Sequence, residues 1–562
     1  MEKHNTIPEF DTLPEYFYHW AKEKPDYPFL KQPYGNNWKT ITYQEAYNEA
    51  SKVTTALQDM GLQKGDHVAI YSKNCYHWIL ADLAIMMGGF VSVPLYYNLS
   101  AKQLGEVLKL SDSKAIFVGK LESWSTHCQE IDNDIKMIRF PQYKDNAEVK
   151  EGISWDHLVL NSKPLLKKHI PNSEDLWTIL FTSGTTGTPK GVMHVHGTPV
   201  QIIKDDKEHD WIGITDQRNP RMFSYLPLNH VAEKIAVYSC GLILGGTISF
   251  GESLETFPKN LQDTQPTFFF SVPRIWTKFY LAVASKLPLK RQKVLFSIPV
   301  LSKIIKKKIL HGMGMSGANV IATGSAITPA YLKEWYSTLG VHLIEAYGMT
   351  EVCGSITNTP MKDAPYDSVG KPIPTCEIKI DPETSEVLMK TPYMMKGYYK
   401  DPELTAKVLQ DGWLKSGDKG NLDNQGYLRI VGRVSDAFKT SKGKFIIPNP
   451  LEEKIEKNEL VEQVCVVGLG IPQPIAILNL SEVAQSRPKE EIETSISDTL
   501  TLVNKDLANY TKISTIIIDN KLWNTENKLL TPTLKIRRGE IDHQFSPHFQ
   551  DWFEDKNEVI WL

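Results

Sequence analysis

Thr182-Ser-Gly-Thr-Thr-Gly-Thr-Pro-Lys-Gly191 carries the strongest chemical signal in the chain. It follows an apolar run at 178–181 and ends on a lysine. Gly184 and Gly187 free the backbone for positive φ and for close approach to a ligand. Successive amide N–H groups, with the hydroxyls of Ser183, Thr185 and Thr186 around them, make a concavity suited to an anion, and Lys190 adds a point charge. Phosphate is the natural guest. The P-loop pattern G-x-x-x-x-G-K-[ST] does not fit, because Pro189 precedes Lys190 and Gly191 follows it. A Gly/Thr-rich surface turn is the plainer reading of such a loop, but the length and order of this run favour the anion site.

The run resembles the phosphate loop of the adenylate-forming superfamily, which includes acyl-CoA synthetases, luciferases and peptide-synthetase adenylation domains. Further segments resemble that superfamily in the same order. In Glu345-Ala-Tyr-Gly-Met-Thr-Glu351, the Tyr347 ring offers a face for adenine and the Thr350 hydroxyl can reach an α-phosphate. The Glu351 carboxylate is a hard ligand suited to Mg²⁺, which takes one or two carboxylates with phosphates and water. Alone, Tyr-Gly-x-Thr-Glu could equally be a turn and a threonine-capped helix start. The resemblance implies that Glu345, Ala346, Tyr347, Gly348 and Thr350 bind ATP, and that Thr182 joins Glu351 at the metal. It implies the same of Gly324, Ser325 and Ala326 for ATP and the acyl carboxylate, although a second glycine is commoner where Ser325 stands.

Asp418 matches a ribose-binding aspartate, since a carboxylate can accept from both ribose hydroxyls, and Arg433 matches its companion near ribose and phosphate. His230, in Leu226-Pro-Leu-Asn-His230, matches a histidine of acyl-CoA synthetases beside the reacting carboxylate. A charged or donor imidazole would orient that carboxylate rather than remove a proton. Lys535, in Thr531-Pro-Thr-Leu-Lys535, matches the adenylation lysine in the form seen in long-chain synthetases, with Lys528 where the family often has glycine. Thr531-Pro532 reads as a helix start, which would fix Lys535 near a helix N-terminus, where a cation opposes the dipole and a functional reason gains weight.

The elements that must position these groups follow from periodicity. Two helical patterns in 12–62 flank the turn cluster 33–37. Strands at 67–71, 91–95 and 115–118 alternate with helices from about 76 and near 101–110, which implies right-handed crossovers and a mainly parallel sheet. The stretch 120–172 is polar and irregular. Strands at 319–323 and 341–344 would deliver 324–327 and 345–351 at their carboxyl ends, where ligands bind in open α/β sheets. Short strands and turns fill 367–433, and Asn449-Pro-Leu-Glu452 reads as an N-cap opening a helix to 458. Met193-His-Val-His-Gly197 could suggest metal ligation, yet no third ligand is near.

Composition sets the bounds. At 562 residues, with net charge −3 and pI near 6.6, the chain is too long for one core and has no basic balance for nucleic acid. Six scattered cysteines without a C-x-x-C pair fit a reducing compartment. The amino terminus shows no apolar signal core, and the most apolar window, 78–97, holds Asp82 and Gly88-Gly89, so a cytoplasmic protein is expected. The stretch 286–311 is basic and amphipathic. It could lie on an anionic membrane surface, but the break at Pro299 favours a solvated helix pair packed on the core.

The expected fold is α/β: a large domain of layered parallel sheets with a β-rich subdomain over 1–433, and a small mobile α+β domain over 434–562. Ser435 stands where the family's hinge usually carries Asp or Lys, and 439–444 resembles the loop that enters the site for thioester formation. The resemblance implies ATP, Mg²⁺ and CoA as reactants, and a fatty acid, long-chain by the likeness at 226–233, 266–276 and 531–535. A ligase loading a carrier protein, a medium-chain or aromatic acid–CoA ligase, and a silent binding paralogue are the alternatives, with a monomer or homodimer expected.

Overall fold

The structure, a computed structural model, describes residues 7–183, 189–215, 217, 219–359, 364–434, 436–524, 527–531 and 535–562, without the Ser183 side chain. Gly184, Thr185, Thr186 and Gly187 of the phosphate loop therefore lie outside the described residues, as do Ser435 and 532–534.

The largest sheet has eight strands, in spatial order Gly397–Tyr398, Pro189–Val195, Leu176–Ser183, Val91–Leu95, His67–Ser72, Ser113–Gly119, Lys136–Arg139 and Ile153–Ser154. Pairings from 176–183 outward through 153–154 are parallel, as the βα alternation requires. The last two strands fall in the stretch whose sequence has no legible pattern. The helix Tyr76–Met87 is buried on every side, so its all-round apolar sequence is a core helix. Its single charge, Asp82, is matched by Lys234 at 2.9 Å, with neither side chain reaching solvent.

A second, five-stranded sheet runs Phe268–Ser271, Val320–Gly324, Leu343–Met349, Gly354–Asn358 and Lys371–Pro372, its first three strands parallel. Phe268 and Phe270 face one hydrophobic cluster and Phe269 the other, as period-two alternation dictates. A third sheet joins Arg221–Ser224 and Thr247–Phe250 to the hairpin Pro28–Tyr34/Asn37–Thr42, which occupies the turn cluster between the first two helices, Leu13–Glu23 and Tyr43–Asp59. The β-rich subdomain pairs Trp413–Leu422 with Leu428–Arg433 and with Glu386–Lys390.

The C-terminal domain packs the helices Asn449–Ile455 and Lys489–Asn504 against a four-stranded sheet ordered Val461–Val467, Ile475–Leu480, Ile516–Ile518 and Val559–Trp561. Its two hydrophobic clusters draw only on residues from 438 onward. Asn449 is the first helical residue rather than the cap, which is Pro448. Glu452 does not close a capping box either, because its carboxylate is drawn to Arg538 at 2.8 Å and to the Val466 N–H at 2.7 Å.

Candidate active site

The strand before the phosphate loop does not simply end there. Leu176–Ser183 and Pro189–Val195 form an antiparallel hairpin in which Thr182 lies opposite Lys190. The hairpin thus fixes both ends of the loop. The Lys190 ammonium sits 5.7 Å from the centre of the Tyr398 ring, and the Tyr398 hydroxyl donates to Glu351 Oε1 at 2.7 Å. Thr182, Lys190 and Glu351 are thereby gathered at one end of the site.

The strand Leu343–Met349 runs through the motif instead of stopping before it, so Glu345, Ala346, Tyr347 and Gly348 are strand residues and the turn comes at Thr350–Val352. The return strand Gly354–Asn358 pairs so closely that a Cβ on Gly348 would lie 1.9 Å from the Gly354 carbonyl oxygen. Glycine is obligatory there. His194 fastens the turn, its Nε2 donating to the Thr350 carbonyl at 2.7 Å, and burial holds that imidazole neutral, with a pKa of about 4. Among the described residues no cluster of three or more His, Cys, Asp or Glu could hold a metal. A Mg²⁺ site built from the single Glu351 carboxylate, a threonine hydroxyl and substrate phosphates is still compatible with this donor set.

Glu345 points away from the site: its carboxylate is bound by the Lys333 ammonium and takes the Thr328 N–H at 2.7 Å, which leaves its backbone to line the cleft. Gly324 ends its strand where a Cβ would meet the Ala346 carbonyl oxygen at 2.7 Å. Ser325 then turns the chain at φ +68°, the left-handed conformation that glycine adopts freely, which explains why glycine is commoner at this position.

Asp418 and Arg433 face each other across the antiparallel pair Trp413–Leu422/Leu428–Arg433, and Arg433 Nε donates to Asp418 Oδ1 at 2.8 Å. The other carboxylate oxygen accepts from the Tyr347 hydroxyl at 2.7 Å. Each oxygen keeps a second lone pair for a ligand hydroxyl.

Ser325, Ala326, Tyr347, Asp418, Arg433 and Lys535 line one cleft of about 450 Å³ between the large domain and the C-terminal domain. The helix start expected at Thr531-Pro532 falls on 532–534, outside the described residues. The Thr531 N–H donates to the Lys535 carbonyl at 2.7 Å and the Lys535 N–H donates to Thr531 Oγ1 at 3.0 Å, and the described helix begins at Arg538. Those hydrogen bonds tie its backbone to Thr531 where Lys535 lines the cleft. Burial lowers its pKa to about 8, with Arg433 pushing the same way and Asp418 opposing.

His230 is close enough to feel Lys535, which adds to burial in lowering the imidazole pKa to about 3. Its Nδ1 accepts from the Ala232 N–H at 3.3 Å, so the single proton rests on Nε2. Of the two expected forms, the neutral donor is the one present. Glu233, three residues along the same turn, has its pKa raised by burial to about 8, and Oε1 accepts from the Tyr225 N–H at 3.0 Å.

Sequence reasoning missed four contributors. Tyr398 buttresses Glu351 across 47 residues, Lys333 neutralises Glu345, and Arg538 grips Glu452 with both arms of its guanidinium. Arg274, at the start of the helix Pro273–Lys286, lies 3.5 Å from Glu462 of the C-terminal domain. None of the four belongs to a local pattern; only the arginine directly after Arg537, repeating charge beside a strong motif, offered a signal.

Residues 17–399 match the AMP-binding enzyme family, and residues 435–557 match the AMP-binding enzyme C-terminal domain. The chain belongs to the AMP-binding enzyme family. Similar curated relatives include the long-chain-fatty-acid–CoA ligase FadD15 of Mycobacterium bovis, 25% identical with 96% of this chain and 97% of the relative covered. The fatty acyl-CoA synthetase A of Dictyostelium discoideum is 28% identical, with 91% of this chain and 85% of the relative covered. Among solved structures, the adenylation domain of a carboxylate reductase from Mycobacterium chelonae superposes with a TM-score of 0.81 at 21% identity, over 98% of this chain and 92% of that one. An anthranilate CoA ligase in complex with anthranoyl-AMP superposes with a TM-score of 0.77 at 19% identity, over 97% and 99%. The family's adenylate-forming fold, a large α/β domain with a C-terminal domain, is thus the fold of this chain.

Proposed function

We propose that the protein activates a long-chain fatty acid with ATP and transfers the acyl group to CoA, with the domain division at 433/434. What carries this reading is the meeting of Lys535, Asp418 and Arg433 at one cleft, although they come from both domains, with His230 near enough to Lys535 to feel its charge. The long-chain assignment is supported by the curated relatives; the structural neighbours, at 19–21% identity, support only the fold.

In the first step a carboxylate oxygen of the acid forms a bond to the α-phosphorus, the bond to the bridging oxygen breaks, and pyrophosphate leaves. Two anions must meet, so cationic groups and aimed donors are the main requirement. His230 Nε2–H holds the carboxylate, Lys190 and the loop 183–187 take the outer phosphates, and Asp418 with Arg433 fixes the ribose while Tyr347 stacks on adenine. Lys535, protonated once phosphates surround it, faces the charge that builds at the α-phosphate and the bridging oxygen. Thr182 and Glu351 would hold Mg²⁺, which neutralises phosphate charge when bound. In the second step the CoA thiol gives its proton to solvent, sulfur bonds to the acyl carbon, and the bond from that carbon to the phosphate oxygen breaks, so that AMP departs. The ribbon Phe438–Lys439/Phe445–Ile446, whose tip 441–444 is exposed, is the segment to enter at that stage.

The chain-length profile tests the substrate class. Each buried CH₂ contributes about 0.8 kcal/mol, so kcat/KM should climb steeply with length and level off at roughly twelve carbons or beyond. A rate that peaks at acetate, or at benzoate, would overturn the long-chain reading and leave the adenylation chemistry standing.

A further inference from the structure

From Thr264 to Lys333 the chain contains no Asp or Glu, against eleven Lys or Arg, in a protein of net charge −3. The structure concentrates that imbalance on a helical hairpin, Leu289–Phe296 and Pro299–Gly312, whose two helices pack on each other. Pro299 does not break this element; it occupies the first turn of the second helix, where its missing N–H costs nothing. Val294, Ile298, Val300 and Ile304 cluster around the turn, 46–73% exposed. Lys290, Arg291, Lys293, Lys303, Lys307 and Lys308 surround them, all exposed, and none forms an ion pair with a carboxylate among the described residues.

We propose that this hairpin is a docking surface for an anionic lipid bilayer, with the apolar turn entering the headgroup region and the lysines meeting lipid phosphates. The two halves of the argument select this occupant together. A second copy of the chain would bring like charges face to face. A nucleic acid or acidic peptide would answer the cations but leave four large apolar side chains in water. A bilayer with anionic headgroups satisfies both, as it does for interfacial amphipathic helices. No described helix is long and apolar enough to cross the membrane, so the contact is peripheral. The inference is independent of the reaction, although the helix leading into the hairpin begins at Pro273 and Arg274, which border the cleft.

The test is cosedimentation of the full chain with vesicles of phosphatidylcholine alone or mixed with phosphatidylglycerol, at low and high ionic strength. The wild type should bind the mixed vesicles, release them at high salt, and ignore pure phosphatidylcholine. Lys303→Gln with Lys307→Gln should weaken binding about 25-fold, about fivefold per cation. Val300→Ser with Ile304→Ser should also release the vesicles, with an unchanged melting temperature and unchanged pyrophosphate exchange in solution. Absence of wild-type binding to mixed vesicles would overturn the proposal. So would binding indifferent to the serine pair, which would mark a general polyanion site instead.

Discussion

Arg274 and Glu462 link the large domain to the C-terminal domain, and breaking that link should slow one half of the reaction and spare the other. Arg274 Nη2 lies 3.5 Å from Glu462 Oε1, with the side chains only 17% and 11% exposed. The Gln463 amide, oriented so that both its groups are satisfied, accepts a further bond from Arg274 Nη1 at 3.1 Å. At an effective dielectric of about 20, charges 3.5 Å apart attract by about 5 kcal/mol. Desolvation of both groups offsets more than half of that, leaving about 2 kcal/mol, or about 30-fold, as the contribution to holding the two domains in this arrangement. In this arrangement of the two domains Lys535 lies close enough to Asp418, Arg433 and His230 to share their electrostatics. Arg274→Ala should therefore reduce ATP–pyrophosphate exchange by as much as about 30-fold while conversion of supplied acyl-adenylate and CoA to thioester is undiminished. Glu462→Gln should show the same division of effects, and the swap Arg274→Glu with Glu462→Arg should recover part of the loss. Equal loss in both half-reactions, or a normal rate for Glu462→Gln, would refute the argument.

Two more outcomes follow from Lys535. Lys535→Ala should lower adenylate formation by about 10²- to 10³-fold, as for loss of one preorganised charge, yet still turn supplied acyl-adenylate into thioester; equal loss in both steps would contradict that role. Its pKa of about 8 in the free protein makes the protonated, competent form dominant below that pH, so kcat/KM for adenylation should fall as pH rises through 8. Lys535→Arg should move that limb upward, whereas a limb left in place would assign it to Glu233, whose carboxyl also titrates near 8. His230, held near 3, should add no inflection around neutrality.

Much of this architecture is legible in local sequence. The strands His67–Ser72 and Val91–Leu95 and the helices Tyr76–Met87 and Ala101–Leu110 lie where periodicity places them, the last closed by a Ser100 capping box. The hairpin 28–42 is obscured because its pairing partner, Thr247–Phe250, lies some two hundred residues away. Departures from the family pattern are informative in their own right. Ser325 and Lys528 stand where glycine is commoner, and both adopt left-handed backbone, at φ +68° and +62°. Thr531-Pro532 is a good helix start locally, but 532–534 lie outside the described residues; the flanking Leu530–Ile536 bridge is a pairing no dipeptide signal reveals, and the described helix begins at Arg538. The supporting pairs Tyr398–Glu351, Lys333–Glu345 and Arg274–Glu462 join residues 47, 12 and 188 positions apart, and only the fold reveals that they touch.

The central claim is that one cleft first joins a fatty acid to AMP and then hands it to CoA. Incubating the protein with ATP, Mg²⁺ and palmitate, with and without CoA, and following pyrophosphate, AMP and palmitoyl-CoA measures it directly. The account predicts pyrophosphate exchange in the absence of CoA, and stoichiometric AMP and palmitoyl-CoA in its presence. Exchange without any palmitoyl-CoA would point to a different acyl acceptor such as a carrier protein, and silence in both arms would contradict the account.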